Sequence, residues 1–136
     1  RLYAGLILIF YGVGKLGDPA DFLKSIHTYG ILPTDPAYWL NLSAIALPWL
    51  EILAGIAILL GVLRRGAGAL SAITLAVFSA AILVRTFDIM STDGTAFMDV
   101  AFDCGCGSGV VVIWEKMIFN SSLFVTSLLS CLELRK

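Results

Sequence analysis

Two runs of the chain, Ala37 to Leu63 and Gly66 to Phe87, consist almost wholly of apolar and small residues. Crossing a bilayer core of about 30 Å takes roughly 20 such residues in a helix. Two further apolar segments, Leu2 to Leu16 and Val110 to Leu132, flank them. Over the 136 residues, hydrophobic side chains reach 59% and charged ones only 14%, against about 45–50% and about 25% in soluble domains. A soluble domain of this size cannot hide so much apolar surface, so the solvent is read as lipid. The net charge of −1 gives no reason to expect nucleic acid.

The expected membrane spans are 1–16, 37–63, 66–87 and 110–132 of a single domain. The first is short for a bilayer, and residues upstream of Arg1 are expected to complete it. A signal peptide is the weaker reading, because no small-residue cleavage site precedes "GDP". The second follows the helix-start signal "TDP" and ends at the basic pair Arg64–Arg65. The third is rich in Ala, Gly and Ser, which let membrane helices approach closely. Between the first two, "DPADFLKSIHTYGILP" places Phe22, Leu23, Ile26 and Tyr29 on one face of a short helix, expected to lie at the interface. His27 reads as a polar residue at that interface, and Trp114 with Lys116 as anchors of the fourth span.

Charge placement orients the spans. Arg1, Arg64–Arg65 and Arg135–Lys136 fall on one side, whereas Asp18, Asp21, Asp35, Asp88, Asp93, Asp99 and Asp103 fall on the other. The positive-inside rule then puts both termini in the cytoplasm and the first and third loops outside. The expected fold is all-α: an integral four-helix bundle of the cytoplasmic membrane, with an interfacial helix in its first outer loop.

The third loop contains "DCGCGSG", with Cys104 and Cys106 one residue apart. Metal ligation, a strained disulfide and a plain tight turn all place cysteines this close. Zinc takes four ligands and iron–sulfur clusters usually four cysteines, yet the chain has no CxxC and its one histidine sits in the other outer loop. Cys131 falls near the inner end of the fourth span, more than about 30 Å away along a helix and beyond disulfide reach. It reads as a small buried apolar residue. A Cys104–Cys106 bond is possible where Gly105 lets the chain turn. So small a ring constrains the unfolded chain little, and strain makes a disulfide exchange readily. Exchange chemistry is thus favoured, with unpaired thiols or pairing to a partner subunit as the alternatives. An extracytoplasmic loop is where such a bond can persist.

Ionisable residues inside a span carry a partner or a function. Glu51 lies about 18 Å above the inner end of its helix and Arg85 about 28 Å above its own. An Arg85 side chain could close much of that offset, and Lys15 is the competing partner. The bland reading is an ion pair that fixes helix register; the functional one is a proton-carrying carboxyl group beneath the cysteine loop.

Taken in order, "YGVGKLGDPADFLKSIHTYGILP", "ALPWLEILAGIAILLGVLRR", Arg85, and "DCGCGSG" followed by "WEKMIFN" resemble the DoxX/MauE-like family of small four-helix membrane proteins. The CGC before the fourth helix resembles the MauE-like branch. The resemblance implies thiol–disulfide work outside the cytoplasm, beside a thioredoxin-like partner that matures a disulfide-containing dehydrogenase. It implies Cys104 and Cys106 as the redox pair, and Lys15, Glu51 and Arg85 as polar residues inside the bundle. The wider group implies sulfur oxidation and quinone-linked membrane complexes, and a membrane acceptor such as quinone is the expected outlet for electrons from the pair. Two departures stand out: "GSG" after the CGC in place of a bulky residue, and a third loop lengthened by "DIMSTDGTAFMDV", suited to docking another protein. The second expectation is a non-catalytic accessory subunit of a respiratory or photosynthetic membrane complex.

Overall fold

The computed structural model describes residues 2–105 and 109–132, so Cys106 lies outside the described residues. The described residues fold into five α-helices: α1 (Leu2–Gly17), α2 (Pro19–Tyr29), α3 (Tyr38–Leu60), α4 (Arg64–Asp93) and α5 (Ile113–Leu132). A two-stranded hairpin, β1 (Ala101–Asp103) and β2 (Val110–Val112), sits between α4 and α5.

The surface of this bundle is apolar, and several polar and charged residues stand among the apolar ones of its interior. Phe10 is 73% exposed and Val77 66%, whereas Lys15, Glu51, Lys116 and Asn120 are buried. So much exposed apolar surface suits a lipid solvent, since water disfavours it. Two helices, Tyr38–Leu60 and Arg65–Asp93, are long and apolar enough to cross a membrane, and α1 is a shorter apolar helix.

Glycines set the closest packing. α1 and α3 run antiparallel in close contact. A Cβ on Gly55 would stand 2.8 Å from the Gly5 carbonyl oxygen, and one on Gly12 would stand 2.9 Å from that of Pro48. No larger residue leaves these backbones so close. α5 packs on α4 in the same way: a Cβ on Gly68 would lie 2.8 Å from the Cys131 amide nitrogen. Cys131 is half-buried there, at the opposite end of α5 from the cysteine loop.

The short α2 forms where expected. Asp18 caps it by accepting a hydrogen bond from the Asp21 amide at 3.0 Å, Pro19 opens it, and Gly30 closes it at φ +66°. Phe22, Ser25, Ile26 and Tyr29 face inward. The "TDP" signal is displaced from its helix: the position preceding α3 is Ala37, with no side-chain cap.

Two element boundaries differ from expectation. α4 continues past Phe87 to Asp93 and stops at Gly94, whose φ is +65°. Part of the lengthened loop is therefore helix. The residues Val110–Val112 form a strand rather than the start of the last helix. Three consecutive β-branched residues favour that choice.

Candidate functional site

The hairpin fixes the cysteine loop. Ala101 faces Val112, Phe102 faces Val111 and Asp103 faces Val110. The Ile113 amide donates to the Val100 carbonyl at 3.0 Å, tying the start of α5 to the strand that leads into Cys104. Gly105 takes a φ of +71°, and its amide donates to the Asp103 carboxylate at 2.8 Å. L-residues rarely adopt that backbone, and a Cβ there would also lie 2.6 Å from the Ser25 Cβ.

Cys104 is fully buried, in a cluster with Tyr29, Ile82, Val100 and Ile113. The Tyr29 hydroxyl donates to the Cys104 carbonyl at 2.9 Å. Helix α2 thus supplies both the floor under Gly105 and the clamp on Cys104.

Aromatic rings continue downward from the loop. Tyr29 meets Phe78 edge-on at 6.0 Å, and Phe22 stacks on Phe78 at 6.3 Å. The Lys15 ammonium lies 5.1 Å from the Phe22 ring and 4.7 Å from the Phe78 ring. It donates to both Glu51 carboxylate oxygens, at 2.6 and 2.8 Å.

Glu51 is therefore paired with Lys15, not with Arg85. Close approach at Gly12 brings the C-terminal end of α1 level with Glu51 on α3. Arg85 instead reaches along α4 to Asp88 at 2.5 Å, with 31% of its side chain exposed. It belongs to the rim rather than to the interior of the bundle.

Beneath the rings lies a cavity of about 30 Å³, lined by Tyr11, Lys15, Glu51, Thr74, Lys116 and Asn120 among others. A space this size with polar walls has room for about one or two waters. The Lys116 ammonium lies 4.3 Å from the Tyr11 ring, and Asn120 donates to the Ser79 hydroxyl at 3.3 Å. Lys116 is 7% exposed, which corrects its expected place as an interfacial anchor. The signal was available in the sequence: Ile113, Lys116, Asn120, Leu123 and Ser127 recur at helical spacing on one buried face.

A surface groove of about 280 Å³ opens beside the loop, lined by Asp21, Lys24, Ser25, Arg85, Phe102 and Asp103 among others. His27 lies apart, in an open groove of about 490 Å³ with Lys24 and Asn41. Among the described residues, no three His, Cys, Asp or Glu side chains gather as metal ligands.

The family model described as methylamine utilisation protein MauE matches residues 1–133. The chain belongs to the MauE family. The MauE match takes in α1 through α5 and therefore the cysteine loop, its α2 floor and the Lys15–Glu51 pair together. No curated protein and no solved structure is similar enough to this MauE chain to match it. Its long apolar helices and apolar surface are those of a membrane protein.

Proposed function

We propose that this protein is a membrane thiol–disulfide redox protein serving methylamine utilisation, and that Cys104 and Cys106 exchange with an extracytoplasmic, thioredoxin-like partner. In this reading α1, α3, α4 and α5 cross the cytoplasmic membrane, α2 lies at its outer interface and both termini are cytoplasmic. The observation that carries it is the fixed, fully buried Cys104 at the end of the hairpin, clamped by Tyr29. Structural turns rarely need a cysteine pair so placed. An inner, water-excluded sulfur suits the resolving member of an exchanging pair, with Cys106 the sulfur that a partner attacks.

A partner thiolate attacks Cys106 of the oxidised pair, the Cys104–Cys106 bond breaks, and Cys104 leaves as a thiolate. The second partner thiolate then displaces Cys106, so the partner departs as a disulfide. Its two protons end on Cys104 and Cys106. Reoxidation passes two electrons and two protons to a membrane acceptor, a quinone by class, which becomes a quinol. Arg85 and Asp103, on the outer groove, are placed to meet the partner.

Cysteine variants test this. Cys104→Ala should accumulate a mixed disulfide through Cys106, seen on non-reducing gels after acid alkylation and removed by dithiothreitol. If neither single variant traps an adduct and the double variant supports full growth on methylamine, the exchange reading fails. An accessory-subunit role then replaces it.

A further inference from the structure

We infer that the groove between α2 and α3 seats the phosphate headgroup of an anionic phospholipid from the surrounding bilayer. The groove measures about 490 Å³, within the range of about 300–1,000 Å³ usual for small-molecule sites. Leu23, Ala37 and Leu40 form its apolar wall, and Lys24, His27, Thr28 and Asn41 its polar one. Apolar contact beside hydrogen-bonding groups is the chemistry that receives an amphiphile. On α2 the lining positions recur one turn apart, 23–24 and 27–28, which makes them one helix face. The other face buries Phe22, Ser25, Ile26 and Tyr29, and Tyr29 clamps the cysteine loop. A lipid in the groove therefore holds α2 from the side away from the loop.

Charge selects the headgroup. Among the described residues no acidic side chain lines this groove, whereas Asp21 and Asp103 line the neighbouring one. Lys24 pairs with Asp21 at 3.8 Å, with 78% and 55% of the two side chains exposed. An ion pair so exposed is weak, so the ammonium turns to a phosphate at little cost. Among the described residues the His27 and Asn41 side chains have no hydrogen-bond partner, and both carry N–H donors that suit phosphate oxygens. Thr28 is not a third such donor, because its hydroxyl already donates to the Lys24 carbonyl at 2.8 Å.

Position selects the source. Ala37 lines the groove, and the next two residues, Tyr38 and Trp39, are 62% and 50% exposed. Exposed Tyr and Trp at the end of a membrane helix sit at headgroup level. They open α3, which is long and apolar enough to cross a membrane. The groove thus lies at the depth of the bilayer where phospholipid phosphates stand.

The test uses the full chain in detergent, titrated with phosphatidylglycerol or phosphatidylcholine, with native mass spectrometry reading the lipid retained. Phosphatidylglycerol should bind about tenfold more tightly, since a basic site favours a headgroup of net negative charge. Lys24→Ala with His27→Ala removes the cation and a donor and should remove most of that preference. Ala37→Trp changes no charge but fills the groove from its rim, and it should do the same. All three positions are exposed, and circular dichroism checks that the variants fold. Inorganic phosphate in large excess should not displace the lipid, because it makes no use of the apolar wall. Equal retention of the two lipids overturns the assignment, as does a folded variant of either kind that keeps the preference. Displacement by inorganic phosphate overturns the lipid source and makes this a free-phosphate site. Should one variant not fold, the other decides alone. No cysteine enters the measurement, so its outcome is separate from that of the exchange reading.

Discussion

Lys15 and Glu51 have 2% and 9% of their side chains exposed, so neither charge is supported by bulk water. Removing one partner leaves the other buried and unpaired, which typically costs about 3–5 kcal/mol, whereas removing both is far milder. Lys15→Met and Glu51→Leu, singly and together, should show that pattern in a double-mutant cycle on thermal stability in detergent. Additive losses would mean that the two charges are not coupled. Glu51 was legible in the sequence as a buried charge in need of a partner, because an acid within an apolar span is too costly to leave unpaired. The choice between Arg85 and Lys15 was not, because height along a helix does not say which helices are neighbours. The glycines at positions 5, 12 and 55 decide that, by bringing α1 against α3.

Among the elements, the cysteine loop depends on a helix far from it in sequence. Tyr29→Phe removes one hydrogen bond to the Cys104 carbonyl and should lower stability by about 1 kcal/mol. Gly105→Ala forces a side chain into a φ of +71° and against Ser25, so it should be the more damaging of the two. Hydrogen exchange at residues 101–105 is the measurement, with faster exchange expected in both variants and the larger effect in Gly105→Ala. The reverse order would mean that α2 does not clamp the loop. The start of α2 could be read directly from Asp18 and Pro19, and its end from Gly30, since local capping chemistry writes those boundaries. The end of α4 could not be read from hydropathy. Asp88, Ser91, Thr92 and Asp93 look like a loop to any reading that stops the helix where the apolar run stops. A helix that outlasts its apolar stretch ends instead at the next residue free to turn, here Gly94.

For the whole molecule, the proposed orientation places Met98 outside and Leu63 inside; both are well exposed, at 62% and 80%. In a cysteine-free background, Met98→Cys should react with a membrane-impermeant maleimide in intact cells and Leu63→Cys only after lysis. The opposite pattern would invert the bundle. The apolar exterior was legible from composition alone, while the polar interior around Lys116 and Asn120 emerges only once α5 is set against α4 and α1. The tightest helix pairings are α1 with α3 and α4 with α5, and the cysteine loop draws on both. Its strands and Cys104 come from the α4–α5 half, and its floor and clamp from the α2 segment of the other. A chain whose two halves have inserted but not yet docked has the sequence of the loop without its shape. The contacts that shape the loop are therefore complete only when both halves have docked, which makes its geometry a marker of the assembled bundle.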